Sequence, residues 1–175
     1  IATGDYDAVI IGHSQFEKIP ISTERQIMQL EQQINEIEAA ISEMKYEKGE
    51  NWSIKQMAIF RGNLEAKLEK LSAEEKKDDL LTFEQLGVDM MFVDEAHFYK
   101  NCFVFTKLRN VAGITTSSSQ RAFDMLLKCQ YLQEVNNGRG VVFATGTMIS
   151  NSISELFVMQ RYLQPQELER FGWSY

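Results

Sequence analysis

The chain has 175 residues, 44% of them apolar and 25% charged, with a formal net charge of −7. That length suits one domain with a core of useful size. No apolar run approaches the ~20 residues of a membrane span, no charged leader precedes a long apolar run, and Cys102 and Cys129 lack the spacing and histidine partners of a metal site.

The expectation is a reduced, cytoplasmic protein that does not enter a membrane. The first residue is Ile, which reads as a piece of a longer protein. Charge is unevenly spread. Residues 22–80 hold 9 basic and 13 acidic side chains, whereas from Phe98 to Gln130 Lys100, Lys107, Arg109, Arg121 and Lys128 face Asp124 alone.

The apolar run Ala8–Ile11, followed by Gly12, predicts a buried strand ending in a loop. Next comes a long segment with neither proline nor a strand-like run. Ile27, Leu30, Ile34, Ile37, Ile41 and Met44 step by three and four, an apolar seam with the coiled-coil period. Thr23 and Gln26 have the spacing of a capping box at its start. Gly49 breaks the pattern, Ser53 and Gln56 offer a second cap, and Met57, Phe60, Leu64, Leu68 and Leu71 form a second apolar face. Two amphipathic helices with a short break predict an antiparallel hairpin over residues 22–80.

Thr82 to Gly87 predicts a short helix with a cap at each end. Val88–Val93 and Val141–Thr145 predict two further strands. Between them, Ser118 or Ser119 caps a helix that stops at Asn136-Asn137-Gly138, with Phe123, Leu126, Leu127 and Leu132 inward. A last helix has capping-box spacing at Ser152 and Glu155 and ends at Pro165. Continuous apolar runs suit a parallel sheet covered on both faces. Ligands of such sheets bind beyond the carboxyl ends of the strands. His13, Asp94, Glu95, Thr145 and Thr147 fall there.

The string D-E-A-H, Asp94 to His97, sets two carboxylates side by side at a strand end. Adjacent carboxylates repel each other. The placement suits a cation held between them and a phosphate. A buried strand fixes one acid rigidly, where it holds Mg2+ beside a nucleoside triphosphate. The second acid then polarises the attacking water. Asp94 takes the first role and Glu95 the second; the plain alternative is a pair of solvated loop acids.

A second string, Thr145-Gly146-Thr147, follows the third strand, with Asn151, Glu155 and Leu156 downstream. Together with D-E-A-H it resembles motifs II and III of the first RecA-like domain of DEAH-box superfamily-two helicases and translocases, nearest the Swi/Snf-like group. The likeness covers roughly residues 5–20 and 84–165. It implies an α/β fold: a partial RecA-like parallel sheet flanked by helices, over residues 1–21 and 81–175, with the helical hairpin of 22–80 inserted. It also implies ATP and Mg2+ as cofactors, with Asp94 on the metal, Glu95 activating water, His97 coupling motif II to its neighbours, and Thr145 and Thr147 linking hydrolysis to domain movement.

Two departures stand out. Met148 occupies the place of the family's proline after T-G-T, and no G-x-x-x-x-G-K-[ST] phosphate cradle occurs in the 175 residues. The expectation is a fragment of an ATP-dependent DNA helicase or translocase, inactive alone. Duplex DNA is the expected polymer, with Ser14, Lys100, Lys107, Arg109 and Arg121 as candidate contacts. The alternative is a non-catalytic RecA-like platform whose hairpin serves a protein partner.

Overall fold

Two strands, β1 (Met91–Val93) and β2 (Val141–Phe143), pair in parallel with Met91 opposite Val141, Phe92 opposite Val142 and Val93 opposite Phe143. They belong to a computed structural model that describes residues 2–46, 51–73, 81–102, 119–150 and 152–172. Hydrogen bonding runs past the strand ends, since the Ala144 N–H donates to Val93 O at 2.8 Å and the Ala96 N–H to Ala144 O at 3.0 Å. The two segments are therefore tied together where the acidic string begins.

The helices are α1 (His13–Phe16), α2 (Thr23–Tyr46), α3 (Asn51–Ala73), α4 (Gln120–Val135), α5 (Ser154–Leu163) and α6 (Pro165–Arg170), with 3-10 turns at Phe83–Leu86 and Ala96–Tyr99. The architecture is α/β and mostly helical. The described residues divide into two units: 23–46 with 51–73, and the remainder.

In the first unit α2 and α3 pack on one another. Leu30, Ile34, Ile37 and Ile41 of the seam are buried, as is Leu64 of α3. Arg61 Nη1 reaches Glu38 Oε1 at 3.1 Å. The caps expected for them shift inward: Thr23 is itself the first residue of α2, and α3 starts at Asn51, two residues before Ser53.

In the second unit the core lies between the sheet, α4 and α5. Met91 and Val93 are buried in it, and the Phe143 ring meets that of Tyr162 at a tilt, with centroids 5.4 Å apart. Ala122, Phe123, Met125, Leu126, Leu127, Cys129 and Leu132 of α4 and Val158, Met159 and Tyr162 of α5 complete it. Ser119 caps α4 by accepting the Ala122 N–H at 3.1 Å. The Thr82 N–H donates to Gln85 Oε1 at 2.9 Å, and Gly87 ends that turn at φ +69. α5 stops at Leu163, and Pro165 opens a further short helix, the position where its missing N–H costs nothing.

Three expectations need correction. Ala8–Ile11 forms no strand: it pairs with neither β1 nor β2, and Ile10 is fully exposed. An apolar run becomes a strand only where a neighbour takes its N–H and C=O groups, and among the described residues none is offered. Among the described residues the sheet is also covered on one face, with Phe92 73% exposed and its partner Val142 39% exposed. The strands themselves are shorter than the apolar runs that signalled them.

Candidate active site

The D-E-A-H string leaves β1 and turns at once. Glu95 sits at φ +50, in the left-handed region, and Ala96–Tyr99 forms a single 3-10 turn behind it. That backbone reversal is held by two bonds. The Glu95 N–H donates to Asp94 Oδ1 at 3.0 Å, and the Ala96 N–H is taken by Ala144 O across the sheet. Ala96 is fully buried, so the turn is pinned at its centre while Asp94 and Glu95 stay exposed.

His97 points back over the strand ends. Its Nδ1 lies 3.1 Å from Glu95 Oε2 and 3.2 Å from Thr145 Oγ1. Thr145 Oγ1 in turn accepts the Thr147 N–H at 3.1 Å. Glu95, His97, Thr145 and Thr147 thus form one connected chain of polar contacts at the carboxyl edge of the sheet, with Asp94 bonded to its start. A carboxylate and a threonine hydroxyl share one imidazole nitrogen. Because both oxygens meet the same nitrogen, a change at either one is felt at the other.

α1 is bound to the same turn from the other side. His13 Nδ1 lies 2.8 Å from the Tyr99 hydroxyl, and its ring meets Phe98 edge-on at 5.6 Å. Burial, reinforced by the nearby Glu17 carboxylate, pushes the Tyr99 phenol up to about 12. The Tyr162 hydroxyl, also raised by burial, is shared between Tyr99 O at 3.0 Å and Ala122 O at 3.1 Å. Lys128, wholly buried in α4, donates to Phe16 O at 3.2 Å and to Asp124 Oδ2 at 2.6 Å, with the Phe16 ring 4.2 Å from its Nζ.

The candidate nucleic-acid contacts separate. Ser14 is exposed on α1. Arg121 is partly exposed and pairs with Glu17 Oε1 at 2.6 Å. Lys100 is 8% exposed, and its Nζ donates to Glu155 Oε2 at 3.0 Å and Ser150 Oγ at 2.8 Å. Its charge is therefore neutralised inside the unit and does not face a polyanion. Lys107, Arg109 and Asn151 lie outside the described residues. Glu155 also departs from its expected capping role, since it accepts the Ser150 N–H at 2.6 Å. Tyr99, Ser150 and Glu155 are contributors that motif spacing did not single out as partners.

Among the described residues no helix is long and apolar enough to cross a membrane, and no group of three or more His, Cys, Asp or Glu side chains is placed to hold a metal ion. A family model described as "Probable helicase domain" matches residues 1–174. The chain belongs to this helicase-domain family. The helicase domain is also similar to "Defense against restriction protein B" of Escherichia phage P1, at 34% identity over 95 residues, which is 53% of this chain and 4% of that protein. The domain thus spans a small part of the curated relative it matches. No solved structure matches it.

Proposed function

We propose that the chain is the hydrolysis-bearing part of an ATP-driven motor on nucleic acid, of the DEAH-box type with a RecA-like fold. The observation that carries this reading is the polar chain from Glu95 through His97 to Thr145, assembled at the carboxyl edge of two adjacent parallel strands. Ligands of parallel sheets sit at that edge.

In this reading Asp94 and Glu95 serve a nucleoside triphosphate carried with Mg2+. Two exposed neighbouring carboxylates fit that ion, which takes one or two carboxylates and completes its shell with substrate phosphates and water. Bound there, the ion would neutralise charge on the phosphates. Asp94 would hold it. Glu95 would accept a proton from the attacking water. His97 would orient the Glu95 carboxylate and register the state of Thr145. A phosphate cradle is absent from these 175 residues, so a further segment of the full-length protein would supply it. Duplex DNA is the proposed polymer. Ser14 and Arg121 are the candidate contacts within the described residues, with Lys107 and Arg109 proposed from sequence.

The test is steady-state ATPase of the full-length protein with Glu95→Gln. Turnover should fall by orders of magnitude with nucleotide binding kept, because the base is lost and the metal ligand is not. Unchanged turnover would refute the assignment.

One observation favours a second reading, a RecA-like platform that presents a helical hairpin to a protein partner. The two-helix unit carries its own buried seam, and the Arg61–Glu38 pair suits an antiparallel arrangement, since the two residues lie nearly equidistant from the break between the helices. A full-length protein without any phosphate cradle would favour the platform.

A further inference from the structure

The turn after β2 is held in an unusual way. Ala144, Gly146, Thr147, Met148, Ile149 and Ser150 are all exposed, Met148 at 49% and Ile149 at 47%. Apolar packing therefore does not fix it. Three polar fastenings do: Ala144 N–H to Val93 O, Thr145 Oγ1 to His97 Nδ1, and, at the far end, Ser150 to Lys100 and Glu155.

The last fastening is costly. Lys100 is 8% and Glu155 4% exposed. Removing two charges from water is unfavourable, and apolar residues of similar size usually serve stability as well or better. What an ion pair adds is direction. Glu155 Oε2 receives both Lys100 Nζ and the Ser150 N–H, while Lys100 Nζ also donates to Ser150 Oγ. Three bonds close a small ring around one backbone position. Lys100 directly follows the 3-10 turn that carries His97, so the ring ties the His97 element to the end of the segment that carries Thr145 and Thr147.

We propose that Lys100 and Glu155, joined through Ser150, are positioning residues that hold the T-G-T turn against the D-E-A-H turn and so set the contact between His97 and Thr145. The inference rests on the hydrolase reading above for its catalytic consequence. Its structural half stands apart from it.

The experiment uses the full-length protein with three variants. Ser150→Ala removes one exposed hydroxyl and leaves both charges paired. Lys100→Met with Glu155→Leu removes both charges together, so neither is orphaned. Lys100→Arg keeps the charge. Two readouts are taken: hydrogen exchange by mass spectrometry of the peptide spanning 145–150, and ATPase kcat and KM. The first two variants should exchange that peptide about tenfold faster and lose about tenfold in kcat, with the KM for ATP within about twofold, the pattern of lost transition-state positioning. Lys100→Arg should keep both near the wild-type values.

Wild-type exchange in Ser150→Ala and in the double variant would overturn the proposal. If the double variant does not fold, Ser150→Ala decides alone. Faster exchange in a protein whose turnover is indifferent to Glu95→Gln would keep the positioning role and remove the hydrolase reading. A Glu95→Gln protein that is dead, beside Ser150→Ala and double variants with normal exchange and kcat, would do the reverse.

Discussion

His97 Nδ1 stands 3.2 Å from Thr145 Oγ1, although 48 residues separate them in the chain. The bond joins the two polar turns that follow the paired strands, and Glu95 Oε2 competes for the same nitrogen. Thr145→Val keeps the side-chain volume and removes the hydroxyl. In the full-length protein it should lower kcat about 10- to 100-fold with little change in the KM for ATP. Single-turnover and steady-state ATPase assays check this.

The two-helix unit should be removable. Its flanks adjoin, because the Ser22 hydroxyl donates to Glu84 Oε1 at 2.6 Å and the Phe83 N–H to Pro20 O at 2.8 Å. Replacing residues 23–79 with a short Gly/Ser linker should leave a cooperative thermal transition in circular dichroism. A broad, non-cooperative melt would show that the helices belong to the same folding unit as the sheet.

Glu84 gives a pH signature. Burial alone would raise its carboxyl, but hydrogen bonds from the Ser22 hydroxyl, the Glu84 and Ser22 backbone and the Thr82 side chain outweigh it and hold the group below the ordinary value of 4.5. A depressed carboxylate contributes stability above its unfolded pKa and loses it as pH falls through the folded one. The melting temperature should therefore drop below about pH 4.5, and Glu84→Gln should flatten that limb. A variant with the wild-type acid limb would assign the effect to other carboxylates.

Lys128 and Asp124 form a pair in which the lysine side chain is 0% and the aspartate 16% exposed. Burial lifts the Asp124 carboxyl against the pull of Lys128. Lys128→Ala strands that carboxyl and opens space beside Phe16, and it should cost about 3–5 kcal/mol at neutral pH. Lys128→Met with Asp124→Leu should cost much less. Urea denaturation of the 175-residue chain compares them.

Gly140→Ala should destabilise by about 1–3 kcal/mol. Gly140 sits at φ +101, and a Cβ there would lie 2.9 Å from Asn136 Nδ2 and 3.1 Å from Asp89 O. Asn136 itself donates to Asp89 O at 2.9 Å, so the corner before β2 has no room to relax. Equal denaturation midpoints for the two proteins would show that the loop gives way.

Sequence reading succeeded where the cause is local. The period of Ile34, Ile37 and Ile41 is a property of one helix, Ser119 accepts an N–H three residues on, and the Thr82 N–H donates to the Gln85 side chain three residues on. The parallel pairing of β1 with β2 was legible because both are apolar runs that end in polar turns. It failed where a distant partner decides. Ala8–Ile11 announced apolarity but could not announce a neighbouring strand, and Ile10 is left exposed. Lys100 was counted with the basic residues around it, yet Glu155, 55 positions on, consumes its charge. The His13–Tyr99 bond, across 86 positions, had no sequence signal at all.

Glu95 occupies a backbone shape that suits asparagine or glycine far better than glutamate. Selection for heat resistance at this position would therefore run against the proposed chemistry. Glu95→Asn would relieve about 1 kcal/mol of conformational tension while deleting the carboxylate. A library sorted only for thermal endurance would enrich sturdier, inert proteins here, and retention of glutamate in such a sort would mark the side chain as held by something more than its own fold.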